Sequence, residues 1–344
     1  MGRDYLRSRN LVSRALGGLA TPRIAVGPLA VHYCARAAGV SIGDYTSNPR
    51  VLADSVLRYY EIFRPDAVWV SADTWVSAQA MGARVGAVDD GQPWSGLGSP
   101  LIQSARDIDR IPPPDPSVQG RYPLMLEALG RVVAALGDEV FVVGCFDQYP
   151  FSLASQLLGM EVIMIKLVDD RPLVEAVMEK GLGYGLTYGR AMNEAGAHML
   201  SGGDSPAGLI GPRFYRELAL PFEKRLISGL KEATGKPISL HICGHAQPIL
   251  EDMANSGADV LEVDHKVDLA QACRIVGPDR TLWGNLDPVG VLARGSTAQV
   301  EQAARRALEA VRACGHKRFV LSSGCTLALE TPAENLRVML QAVF

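Results

Sequence analysis

The sequence predicts an α/β protein of the (β/α)8, or TIM, barrel class, folded as a single domain over residues 1–344. Three observations carry this. Short apolar, strand-like segments recur eight times, at Ile24–Leu29, Ala67–Val70, Val140–Cys145, His198–Ser201, Ile238–Ile242, Val260–Val263, Thr281–Trp283 and Phe319–Leu321. Amphipathic helical stretches fall between them, and alternation of that kind builds a parallel sheet, with eight units favouring a closed barrel over an open doubly wound sheet. Neither a glycine-rich dinucleotide fingerprint nor a Walker sequence follows any strand, which counts further against the open sheet.

The connecting segments carry helix signals. Asn48-Pro49 opens a helix through Tyr60, and Asp170 opens a long one through Glu194, each with a side-chain oxygen at the cap position. Thr331-Pro-Ala-Glu334 reads as a capping box for the final helix. The stretch from Asp89 to Val118 contains Gly91, Gly96, Gly98 and Pro112-Pro-Pro-Asp-Pro116. It is too rich in turn formers to be a core element; it either lines a site or is a plain surface excursion. Nothing rich enough in Gly or Ser divides the chain, so one domain is expected.

Composition narrows the function. With 48% hydrophobic residues in 344, the chain can bury a large core. A net charge of −3 without a Lys/Arg cluster offers no attraction to nucleic acid or anionic lipid. No run of 18 apolar residues occurs, and Met1–Asn10 lacks the apolar centre of a signal peptide, so a cytoplasmic protein with no membrane partner is expected. In that compartment the six cysteines read as thiols, some on metal, rather than as disulfides. Cys34, Cys145, Cys273 and Cys314 read as structural.

The segment richest in chemistry is Ile238-Ser-Leu-His-Ile-Cys-Gly-His245, where a strand ends in His241-x-Cys243. Alternate side chains of a strand share a side, so the imidazole and the thiol can face one ion. Another strand runs into Gly324-Cys325, 82 residues further on. One imidazole and two thiolates suit zinc and leave its fourth position open for chemistry. Singly, each of these residues has a blander explanation, a buried thiol or a hydrogen-bonded histidine. Their common position at strand ends is what favours a site. Reading past the other strands adds Asp73, Asp147, Asp204, Asp264, Asn285 and Asp287 to the same rim, where active sites of this fold gather.

From these residues the chain resembles the uroporphyrinogen decarboxylase superfamily, and within it the zinc-dependent corrinoid methyltransferases. The matching motifs are Leu240-His-Ile-Cys-Gly244, Gly257-Ala-Asp-Val-Leu-Glu-Val-Asp264, Gly284-Asn-Leu-Asp-Pro288, and Gly324-Cys325 followed by Thr331-Pro-Ala-Glu-Asn335. The resemblance implies a single barrel, zinc on His241, Cys243 and Cys325, and a corrinoid (cobalamin) carried by a separate partner protein, since the chain has no Asp-x-His-x-x-Gly sequence. The decarboxylases open with an Arg-Gln-Ala-Gly-Arg signature, of which Gly27–Gly39 keeps only Arg36, so porphyrinogen decarboxylation is disfavoured.

Two versions of methyl transfer follow: O-demethylation of a small methoxylated substrate, an aromatic one, toward cobalt, or transfer from a methylcorrinoid to a thiol such as coenzyme M. The first is preferred. Phe146 and Tyr149, with Trp75 and Trp283, are candidates to line a flat apolar pocket, although aromatics are ordinary core residues. Asp264 is a candidate to complete the zinc shell or bond a ligand, and His245 to protonate a leaving oxygen. Asp73, Asp204 and Asn285 would orient substrate, or merely cap the helices that follow. A purely structural zinc and a zinc-free decarboxylase are the rival readings.

Overall fold

The computed structural model describes residues 6–87, 90–94 and 100–344. Its strands are β1 (Ala25–Val26), β2 (Ala67–Val70), β3 (Phe141–Gln148), β4 (Met199–Gly203), β5 (Ile238–Ile242), β6 (Val260–Val263), β7 (Thr281–Leu286) and β8 (Phe319–Ser323). All are parallel, in the order β1-β8-β7-β6-β5-β4-β3-β2, which is the (β/α)8 barrel the alternation predicts. Between β1 and β2 the ring is drawn together by the Asp66 amide, which donates to the Val26 carbonyl at 2.8 Å.

Strand lengths depart from expectation where the sequence turns polar. β3 continues through Asp147 and Gln148, and β7 through Asn285, because ladder bonds to neighbouring strands outweigh the low strand propensity of those residues. β1 shrinks to two residues. The strands are buried on both faces, which is why they read as continuous apolar runs.

Inside the barrel, Trp69, Phe141, Met199, Val260, Trp283 and Val320 pack together, and the helix Ser8–Leu16 lays Leu11, Val12, Ala15 and Leu16 against them. No element was expected before Ile24. This helix closes the N-terminal end of the barrel, and each large side chain it buries is worth about 1.5–3 kcal/mol. Asp66 pins it: Ser8 Oγ and the Arg23 guanidinium both donate to the buried carboxylate. With that end plugged, the C-terminal end is left open for a site.

Asn48 caps the helix Pro49–Phe63 by accepting from the amides of Arg50 and Val51. Asp170 precedes Arg171–Glu194 without a side-chain cap and instead faces Lys166 at 3.4 Å. The capping box at Thr331–Glu334 does not form. The helix begins at Ala333, so Pro332 holds the cap position, and proline has no N–H to donate to Glu334. Asp89, Gly96 and Gly98 lie outside the described residues. The rest of the 89–118 stretch is not the bare loop expected: it contains the helical turn Ala105–Ile108, and Ile102, Ile108 and Ile111 are buried in the main core. No single helix among the described residues is long and apolar enough to cross a membrane, and the pair Pro150–Leu158 and Met160–Asp169 is bent by 108°.

Candidate functional site

A cavity of about 670 Å³ opens at the C-terminal ends of the strands. Strand geometry brings His241, Cys243 and Cys325 to one wall of it, with one ligand atom from each within 4.8 Å of the others. His241 Nε2 lies 2.7 Å from Cys243 Sγ, and the two sulfurs are 3.0 Å apart. Two glycines make the approach possible. Gly244 turns the chain after Cys243 at φ +83, a conformation that favours glycine. Gly324 passes so near the loop after β6 that a Cβ there would meet the backbone nitrogen of His265 at 2.5 Å.

The three groups share protons unequally. Burial alone would lower His241, but its hydrogen bond to Cys325 and the charges around it push it up to about 9. The hydrogen bond from Cys243 and the nearby imidazole pull Cys325 down to about 3, while the same sulfur contact, with burial, pushes Cys243 well up. The direction common to these shifts is one sulfur held as thiolate beside a protonated imidazole. Soft donors, a ready thiolate and partial burial are what a zinc ion asks for. The spacings are about 0.8 Å short of the edges of a zinc tetrahedron, so the three side chains would spread to take the ion.

Glu262 is the residue sequence reasoning missed. Pairing of β5 with β6 sets His241 directly beside Glu262. The carboxylate is buried, accepts from Ser201 Oγ at 2.7 Å and Ser239 Oγ at 2.5 Å, and turns its other oxygen to His241 Nδ1 at 3.8 Å. That Nδ1 has no hydrogen-bond partner among the described residues. The signal was present, since a lone carboxylate in the apolar run Val260-Leu-Glu-Val263 is costly to bury unless it is used.

The remaining candidates separate. Asp73 lines the cavity, its carboxylate fully buried against both terminal nitrogens of Arg121 and accepting from the Trp75 amide at 2.8 Å. Trp75 lines the cavity too, with Trp69 and Trp94. Phe146 and Tyr149 do not: both are wholly buried in the core, and the Tyr149 hydroxyl donates to the Ser239 carbonyl at 2.7 Å. Trp283 sits deep in the barrel, edge-on to Trp69, and donates to the Gly27 carbonyl. Asp204 is sealed beneath the rim, accepting from the amide and hydroxyl of Ser152, and burial lifts its carboxyl to about 6. Asn285 ties the next loop by donating to the carbonyls of Asp264 and Val267.

Asp264 accepts from the Lys266 amide at 2.9 Å and faces His265 Nδ1 at 3.0 Å, and its charge is one of those that raise His241. His245 is exposed and outside the cavity wall, because the Gly244 turn carries it past the rim. Cys145, expected to be structural, lines the cavity with Asp147 and Gln148.

A closed parallel barrel with its reactive side chains at the C-terminal mouth is an enzyme architecture. The profile of the uroporphyrinogen decarboxylase (URO-D) family matches residues 7–344, and the chain belongs to that family. It is 31% identical over 278 residues to the methylcobamide:CoM methyltransferase MtbA of Methanosarcina mazei, covering 80% of this chain and 78% of that one. It is 28% identical over 304 residues to the uroporphyrinogen decarboxylase of Gloeobacter violaceus, covering 86% and 84%. Among solved structures, a methyltransferase from Methanosarcina mazei superposes with a TM-score of 0.88 at 25% identity over 98% of both chains.

Proposed function

We propose that this chain is a zinc-dependent methyltransferase that moves a methyl group between a small substrate, a methoxylated aromatic, and the cobalt of a corrinoid held by a separate protein. The observation that carries the reading is the convergence of His241, Cys243 and Cys325 on one wall of the cavity. Zinc bound there would supply Lewis acidity toward a methoxy oxygen, or hold a thiol as its thiolate. Glu262 would keep the His241 ring in its metal-facing orientation through Nδ1. Trp69, Trp75 and Trp94 offer flat apolar surface to a ring. The open mouth is where the corrinoid protein would dock, and the contact would be transient because the carrier must leave to be recharged.

Transfer from a methylcorrinoid to a thiol is a second reading, favoured by the names of the methylcobamide:CoM methyltransferase relatives. Porphyrinogen decarboxylation is supported by other relatives' names, yet no Lys or Arg is among the described residues of the cavity wall to hold a substrate's carboxylates. Metal analysis of protein purified without chelator, followed by methyl transfer assays with and without a corrinoid protein, tests the proposal. One zinc per chain and cobalt-dependent transfer are expected. A metal-free protein, or undiminished turnover without cobalt, overturns it.

A further inference from the structure

Three carboxylates line the cavity, and their partners differ. Glu262 is held by two serine hydroxyls and faces His241. Asp73 is matched by Arg121. Asp147 has no cationic partner among the described residues: Oδ2 accepts from the Ser77 amide at 2.7 Å and Oδ1 from Gln148 Nε2 at 3.2 Å. His32 also lines the wall, but its ring is bonded to the Ala72 carbonyl and burial lowers its pKa.

The backbone is bent to present this carboxyl. Successive residues of a regular strand face opposite sides. Here the register of β3 against β4 shifts between Cys145 and Gln148, Asp147 takes φ +80, and Asp147 and Gln148 both line the cavity. A non-glycine residue seldom adopts such φ, and those that do cluster at functional sites. In ring order β3 is two strands from β5, which leads into Cys243, and three from β8, which leads into Cys325, so Asp147 and the His241 trio occupy different parts of one cavity wall.

We propose that Asp147, with Gln148, is the specificity determinant of this cavity: it receives the hydroxyl of an uncharged methoxylated phenol and rejects substrates carrying a carboxylate or sulfonate. Resting on the methyl-transfer reading, this orients the ligand with its hydroxyl at β3 and its methoxy oxygen toward Cys243 and Cys325. An anion brought here would be stripped of water beside a buried carboxyl with no cationic partner among the described residues, a like-charge placement that weakens binding. A hydroxyl instead gains a carboxylate acceptor in a dry site, where such bonds are strongest.

The test is equilibrium binding to the full, metal-loaded chain at about pH 8, followed by indole fluorescence, since three of the four tryptophans line the cavity. The probes are 2-methoxyphenol, methoxybenzene and 4-hydroxy-3-methoxybenzoate. 2-Methoxyphenol is expected to bind about tenfold more tightly than either of the others. Asp147→Asn should erase most of the margin over the benzoate while zinc content stays unchanged. Benzoate binding equal to or tighter than that of 2-methoxyphenol in the unmodified protein overturns the proposal, as does a folded Asp147→Asn variant that keeps the full margin. If that variant does not fold, the unmodified protein's three affinities decide alone. Binding needs neither corrinoid nor turnover: failed methyl transfer with the margins intact overturns only the proposed function, and equal binding with transfer intact overturns only the role of Asp147.

Discussion

Oε2 of Glu262 lies 3.8 Å from Nδ1 of His241, the two residues standing side by side across the β5–β6 ladder. The carboxylate is fixed from behind by Ser201 and Ser239, so the imidazole rather than the acid must adjust. The buried Nδ1 has no hydrogen-bond partner among the described residues, so Glu262 is the acceptor placed to take its proton once the ring turns.

Glu262→Gln should therefore weaken zinc without removing its ligands. Supporting carboxylates of this kind are worth about 10–100-fold in metal affinity. Competition with a chromophoric chelator measures it, and an unchanged dissociation constant would remove Glu262 from the site.

Cys325→Ser and His241→Ala each delete a proposed ligand while leaving the barrel core untouched. Zinc content is expected to fall to roughly a fifth or less, with the far-ultraviolet circular dichroism preserved, because two remaining donors hold zinc poorly. Full occupancy in either variant would sink the ligand assignment.

Asp147 gives the protein a pH signature. Burial first, then the neighbouring Asp73 charge, lift its carboxyl from an ordinary 3.8 to about 7, against opposing hydrogen bonds from Ser77 and Gln148. The native state thus keeps a proton that the unfolded chain loses above about pH 4. Its contribution is complete below the unfolded value and is lost as pH rises through 7. Relative to the unmodified protein, Asp147→Asn should gain stability between about pH 5 and pH 8, by a few kcal/mol at most. Urea denaturation at both values checks this, and parallel curves would contradict it.

Arg121→Ala strands the Asp73 carboxylate, whose side chain is 0% exposed. Removing one partner of a buried pair costs about 3–5 kcal/mol, far more than the pair itself contributes. The midpoint of urea unfolding should drop accordingly. A loss under about 1 kcal/mol would mean that Asp73 finds water or another donor.

Much of the fold was legible in the chain because its signals are local. Strands buried on both faces must be continuously apolar, and all eight were found at Ala67–Val70, Ile238–Ile242, Val260–Val263 and their companions. The helix Ser8–Leu16 went unread, since four apolar residues among polar ones mean little until a barrel end is there to receive them.

The sequence by itself determined the parallel barrel and the arrival of His241, Cys243 and Cys325 at its rim. These follow from side-chain alternation along a strand and from glycines at strand ends, which act over a few residues. What the tertiary structure alone decided is which rim residues share a space. Asp204, Phe146 and Tyr149 sank into the core, His245 passed outside, Asp264 bonded the Lys266 amide, and Glu262 and Asp147 came to face the cavity. Those outcomes depend on register between strands distant in sequence and on a bulge at Asp147, and register is set by packing the whole sheet at once rather than by any one segment.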